Sequence, residues 1–240
     1  MTSLQPDEIQ RLHQGNRAAW NEAAARYEGE IERDIAFLAA GGKAFQRPEW
    51  PFLHDLAAWC RRAIHLQCAG GLDTLSLWNQ GAAEVVGIDI SERMLKRARQ
   101  RAAELGNSVE LHQMDAQRLD FPDDSFEAAV STFVYCSVPD AVRGLRELGR
   151  VVKPAGKIFL LEHVRINEPE LVGKVMDLLD PVAVRLMGPH INRRTVENVL
   201  RAGLEVERVE SLAAVDLVKF IVARPVQPPA VNGSQQQHPD

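Results

Sequence analysis

Apolar positions recur every three or four residues through the early chain, with Trp20, Ala24, Tyr27, Ile31, Ile35 and Leu38 on one face. This spacing predicts a helix that Gly41-Gly42 breaks. Pro48 and Pro51 flank a new start, and PFLHDLAAWC predicts a second, short helix. From residue 63 the pattern changes. The short apolar runs AIHL, EVVGI, VELHQ, FEAAVSTF and KIFLLEHV predict five strands. DTLSLWNQ, SERMLKRARQRAAEL and DAVRGLRELGRVV predict helices among them. Ser91 offers the second of these an N-cap, and Gly106 ends it. Further on, ELVGKVMDLLDPVAVRLMG predicts an apolar helix broken near Pro181, and TVENVLRAG a short helix stopped by Gly203. LEVERVESL and AVDLVKFIVA predict an antiparallel pair at the sheet edge.

Strands alternating with helices of this length imply right-handed crossovers and a parallel sheet. The near-continuous apolar strands agree, because a sheet covered on both faces buries both sets of side chains. The predicted class is α/β, a doubly wound, Rossmann-like, mostly parallel seven-stranded sheet with an N-terminal helical lid. Residues 1–62 are expected to form a helical cap and 63–224 the ligand-binding domain, with a cap insertion near 165–192. Residues 225–240, rich in Pro, Gln and Asn, are expected to be a disordered tail.

Composition narrows the function classes. With 240 residues, 45% hydrophobic and 25% charged, the chain fits one α/β domain plus a cap. The net charge of −5 and the absence of a Lys/Arg run argue against nucleic acid. Cys60, Cys68 and Cys136 are odd in number and widely spaced, which argues for free reduced thiols and against a disulfide framework or a metal site. The polar start is no signal peptide, and no apolar run reaches the ~20 residues that span a bilayer. A cytoplasmic protein without stable membrane insertion is expected, with a homodimer left open.

Ligands of doubly wound sheets bind at the carboxyl ends of the strands, at the point where strand order reverses. The first strand-to-helix turn, His65-Leu66-Gln67-Cys68-Ala69-Gly70-Gly71-Leu72-Asp73, should carry such a site. Its small residues Ala69, Gly70 and Gly71 would let a ligand approach the backbone. Asp89 ends the second strand, where a carboxylate can accept both hydroxyls of a ribose. Asp115, beside Ala116 and Gln117 after the third strand, could accept from an adenine amino group. Each has a plainer reading: a tight turn, a helix-capping Asp and a loop Asp.

With these residues in order, the stretch 63–162 resembles the class I S-adenosylmethionine-dependent methyltransferases. It is most similar to the group that includes ubiquinone/menaquinone C-methyltransferases and many small-molecule enzymes. HLQCAGGLDTLSL stands where that family has acidic-x-Gly-x-Gly-x-Gly. His65 takes the acidic position, Gln67 and Ala69 take the first two glycines, and only Gly71 keeps the last. DFPDDSFEAAVSTFVYCSVPD and LGRVVKPAGKIFLLE resemble the regions around the fourth and fifth strands. The resemblance implies S-adenosyl-L-methionine as cofactor. Its implied contacts are Tyr27, Leu66, Gln67, Cys68, Ala69, Gly71, Asp73, Asp89, Ile90, Met94, Asp115, Ala116, Gln117 and Thr132. Since His65 is not acidic, the methionine end would be held by Gln67, Asp73 and the lid, where Tyr27 matches a lid aromatic.

Residues 162–212 resemble, more weakly, thiol S-methyltransferases and phospholipid N-methyltransferase relatives. This implies a lipophilic, thiol, amine or hydroxyl acceptor, with Glu162, His163 and His190 as acceptor-side candidates. Trp20, Phe45, Trp50, Met176 and Met187 would suit an apolar acceptor or be simple core. An activated methyl donor needs positioning and exclusion of water more than a catalytic dyad. His163 is the candidate base where the acceptor arrives protonated. Two rivals are a nicotinamide-dependent oxidoreductase and a non-catalytic cofactor-binding regulator. The first lacks a clean Gly-x-Gly-x-x-Gly and any Tyr-x-x-x-Lys pair.

Overall fold

A computed structural model of the chain describes residues 6–45, 50–187, 189–212 and 216–226. The predicted tail therefore lies almost entirely outside the described residues. So do the side chains of Tyr27, Trp50 and Met187.

The N-terminal part holds α1 (Pro6–Ala23), a 3-10 stretch at Ala24–Glu30 and α2 (Ile31–Ala39). The single helix predicted over this region is thus tightened in its middle, where Gly29 lowers the helix propensity. A short turn, α3 (Trp50–Leu53), leads into the sheet. The elements then follow the predicted alternation: β1 (Arg62–Leu66), α4 (Leu72–Asn79), β2 (Glu84–Asp89), α5 (Glu92–Leu105), β3 (Glu110–Gln113) and β4 (Phe126–Thr132). After these come α6 (Ala141–Val151), β5 (Val152–His163), α7 (Glu170–Met187), α8 (Thr195–Arg201), β6 (Leu204–Ser211) and β7 (Val218–Pro225).

The seven strands form one sheet in the order β3-β2-β1-β4-β5-β7-β6. The first five run parallel, and β7 joins β5 and β6 antiparallel. Side chains alternate across the sheet, so each strand feeds two cores. Ile64, Leu66, Ile88, Leu160 and Ile221 pack with Leu145 and Leu148 of α6 and Val199 of α8. Ala63, Val130, Phe159 and Phe220 pack on the other face with Leu53, Leu56 and Leu77.

One expectation fails. α7 is not broken at Pro181 but runs through it. Pro181 is exposed, and on a solvent-facing side the carbonyl that proline leaves without a donor can be hydrated.

Candidate functional site

The sheet order reverses between β1 and β4, since the chain steps outward through β2 and β3 before returning beside β1. The turn after β1 and the loop after β4 diverge at this crevice. A cavity of about 320 Å3 opens between them.

The turn after β1 holds three residues in the left-handed region: Gln67 (φ 50°), Ala69 (φ 46°) and Gly71 (φ 86°). The two non-glycine residues keep the backbone twist that glycine adopts freely, at a strain of about 1 kcal/mol or more each. The glycines themselves serve a different purpose from the one expected. A Cβ on Gly71 would lie 2.7 Å from the Ala98 Cβ, and one on Gly70 would lie 2.5 Å from Arg101 Nη1. Their missing side chains admit α5, and Ala69 is the small residue on the cavity. Arg101 is buried, donates to the Gly70 carbonyl at 2.8 Å and pairs with the buried Asp34 of α2. Nothing in the local sequence signalled that pair.

Asp89 ends β2 with both oxygens engaged. Oδ2 accepts from the Ala69 N–H at 2.9 Å and Oδ1 from the Ser91 N–H at 2.8 Å. Burial pushes its pKa up against those bonds. Helix capping falls to Ser91, whose Oγ accepts from the Met94 N–H. Gln67 Oε1 accepts from the Ile90 N–H at 3.1 Å, which ties the first turn to the second.

Three groups on this side are poised towards the cavity. His65, buried in β1, meets Thr74 Oγ1 through Nδ1 at 2.9 Å, while its buried Nε2 has no protein partner. Burial lowers its pKa to about 4, so the ring is neutral at pH 7. Asp73, in the first turn of α4, has its pKa pushed up to about 6 by burial. Thr132 Oγ1, at the end of β4, is likewise buried without a protein partner.

The opposite wall is the loop 133–139. Phe133 turns it with φ 54°. Glu162, fully buried on β5, anchors it: Oε1 accepts from the N–H groups of Val134 (2.9 Å) and Tyr135 (3.2 Å) and from Ser131 Oγ (3.2 Å). Burial pushes the Glu162 pKa up to about 7. The segment after α7 holds the far side of the loop. His190 N–H donates to the Cys136 carbonyl, Arg193 donates to the Val138 carbonyl, and Asp180 pairs with His190 Nδ1 at 2.7 Å.

α1 crosses the opening. His13 Nε2 lies 3.1 Å from Asp115 Oδ2 and also touches the Gln117 amide. Asn16 Nδ2 donates to the Ser137 carbonyl, and Asn21 Oδ1 accepts from Ser91 Oγ.

Of the residues singled out in the sequence, Gln67, Cys68, Ala69, Asp73, Asp89, Ile90, Asp115 and Thr132 line the cavity together. Leu66, Met94 and Ala116 are buried away from it, Leu66 by strand alternation, Met94 by helix periodicity and Ala116 in the turn after β3. Gln117 supports the rim by accepting from the Asp140 N–H. His163 is not on the lining; its partly buried ring stacks on Phe133 at 4.3 Å. Sequence reasoning missed His13, Asn16, Phe133, Val134, Ser137, Val138 and Pro139 on the lining. Their approach depends on long-range packing, although the polar stripe of α1 offered a faint signal.

Comparison with known proteins follows the same outline. Residues 64–160 match the family described as "Methyltransferase domain". The chain is 36% identical over 124 residues to a phosphatidylethanolamine N-methyltransferase of Cereibacter sphaeroides, covering 51% of this chain and 60% of that protein. It is 34% identical over 107 residues to the ubiquinone/menaquinone biosynthesis C-methyltransferase UbiE of Bdellovibrio bacteriovorus, covering 43% of this chain and 46% of that protein. The chain thus spans about half the length of these relatives. In structure it is similar to the cyclase SpnF, with a TM-score of 0.61 at 19% identity over 86% of this chain and 96% of that one. Among the described residues, no helix is long and apolar enough to cross a membrane.

Proposed function

We infer, from a chain whose residues 64–160 form a class I S-adenosylmethionine-dependent methyltransferase domain, that the protein binds S-adenosyl-L-methionine in the cavity and methylates a small molecule. The observation that carries this reading is Asp89: a buried carboxylate on the cavity, fixed by backbone N–H groups from two different turns. So fixed, it can accept from a ribose with little reorganisation.

The other polar groups fit the same cofactor. Asp115 would take the adenine amino group once His13 yields it. Asp73 presents a carboxylate to a positively charged ligand. In the tautomer that donates Nδ1–H to Thr74, His65 would be left with Nε2 as an acceptor towards an ammonium group. This assignment moves the hold on the methionine end to His65 and Asp73, because the Gln67 oxygen already serves Ile90. Gln67, Cys68, Ala69, Ile90 and Thr132 would contribute contacts around it.

Bound there, the cofactor supplies an activated methyl group on a sulfonium. The chain contributes position and dryness. Trp20, Phe133, Val134, Val138 and Pro139 form an apolar wall that suits a lipophilic acceptor. His163, stacked on Phe133 with its pKa lowered by burial, is the proposed base for an acceptor that arrives protonated. The same reading takes residues 1–62 as a cap over a 63–224 core, with 165–192 as a second cover.

Transfer of a labelled methyl group to a panel of phospholipid headgroup amines, quinols, thiols and phenols tests the reading. Labelled product from at least one acceptor class is expected. Labelled cofactor bound without turnover would instead support a non-catalytic binder. Tight binding of reduced nicotinamide in a fluorescence titration would favour an oxidoreductase.

A further inference from the structure

α7 wears its apolar side chains on the wrong face. Six aliphatic residues are exposed: Leu178 by 77%, Leu171 by 72%, Val182 by 54%, Leu179 by 49%, Val175 by 45% and Val172 by 37%. The buried side carries Gly173, Met176, Asp180 and Ala183 instead. A monomer's surface helix turns its apolar stripe inward, so a stripe turned outward marks an interaction surface.

The acids of this helix do not obstruct contact. Asp177 pairs with Arg165 at 2.8 Å, and Asp180 accepts from the Ile191 N–H and pairs with His190. What remains outward is a four-three-four seam, Leu171, Val175, Leu178 and Val182, of the kind that seats a second helix. The seam covers about 17 Å of helix. Its ends differ in sign: Glu168 and Glu170 outnumber Lys174, which pairs with Glu170 at 3.2 Å, at the first end, and Arg185 stands in the last turn.

An antiparallel copy of the same helix answers both features. A two-fold axis near the middle of the seam sets Leu171 opposite Val182 of the second copy and Val175 opposite Leu178. The same axis brings the acidic first turn of each helix beside the basic last turn of the other. Such self-complementarity is what a two-fold contact requires. An anionic lipid surface fits less well, because Glu168 and Glu170 flank the stripe and the chain carries a net charge of −5.

We propose that α7 is the seam of a two-fold homodimer, packed antiparallel against α7 of a second copy. The seam would also brace the cavity, because the Asp180–His190 contact links α7 to the loop carbonyl of Cys136. The proposal rests on the exposed seam and not on the methyltransferase reading.

Sedimentation of the full chain, up to about 100 μM, tests it. The wild-type chain should be dimeric. Leu178→Glu should weaken self-association at least tenfold while the thermal midpoint at concentrations low enough to keep both chains monomeric stays unchanged, since Leu178 is exposed. Glu170→Lys and Arg185→Glu should each weaken the dimer, and the double variant should recover it. A monomer throughout, a dimer indifferent to Leu178→Glu, or a double variant no better than the singles would overturn the proposal. So would flotation of a monomeric wild-type chain with phosphatidylcholine–phosphatidylglycerol vesicles that Leu178→Glu abolishes.

Discussion

On one side of the cavity, the turns after β1 and β2 hold each other. Ala69 and Ser91 donate to Asp89, and Ile90 donates to Gln67, all within two adjacent strand-turn units. On the other side, the loop after β4 is held from a distance. Glu162 reaches it from β5, His190 and Arg193 from beyond α7, and Asn16 from α1. A wall built from neighbours in sequence is a reusable platform for one ligand. A wall assembled from distant elements can change with each of them, which suits the side that meets the acceptor.

The first wall leans on one buried ion pair from outside its two turns, Arg101 with Asp34, so the sharpest challenge is to remove it. Arg101→Ala leaves the buried Asp34 carboxylate with only the exposed Arg33 as partner and the Gly70 carbonyl without its donor, and should cost about 2–3 kcal/mol in urea unfolding. A loss below about 1 kcal/mol would mean that the turn needs no help from α2 and α5.

The second wall should fail through Glu162. Glu162→Ala leaves two backbone N–H groups and one hydroxyl without their acceptor and should cost about 3 kcal/mol, against about 1 kcal/mol for Glu162→Gln. Acceptor KM should rise in the glutamine variant while cofactor Kd stays within about threefold. Equal changes in both constants would erase the division between the walls.

Protonation reaches both walls, with the Glu162 pKa pushed up to about 7 and that of Asp73 to about 6, and cofactor binding reads the first of them. The Asp73 carboxyl, raised to about 6 by burial, must be ionised to attract a cationic cofactor. Binding should therefore be flat above pH 6 and weaken about tenfold per unit below it, until the pKa of the complex is reached. Asp73→Asn should flatten the profile in calorimetry, and an unaltered profile would remove Asp73 from the site.

The smallest effect expected is a gain. Ala69 holds φ 46°, so Ala69→Gly should relieve strain and raise stability by about 0.5–1 kcal/mol in thermal unfolding. A loss would show that the Ala69 methyl contributes more by packing than its backbone costs.

Legibility in the sequence follows the same division. The strand-helix series, the Ser91 cap, the Gly106 terminator (φ 68°) and Asp89 were all readable, because each is set by local periodicity or a local turn. The missing glycines looked like degeneracy, yet Gln67 and Ala69 hold the same left-handed backbone. Gly70 and Gly71 looked like ligand clearance and proved to be clearance for α5. Glu162 looked like an acceptor-side group, whereas burial and three donors make it the anchor of a loop. The Asp34–Arg101 pair was invisible, and His13 and Asn16 showed only as part of a polar stripe, since no local pattern records which helix crosses which strand end.

The central claim is that the cavity binds S-adenosylmethionine through Asp89. Titration of S-adenosylhomocysteine into the wild-type chain and into Asp89→Asn by calorimetry, with unfolding curves for both, tests it most directly. The wild-type chain should bind, and the variant should bind about 10–100-fold more weakly, or 1.4–2.8 kcal/mol, while keeping its fold. No binding by the wild-type chain, or equal affinity in a folded variant, would contradict the claim.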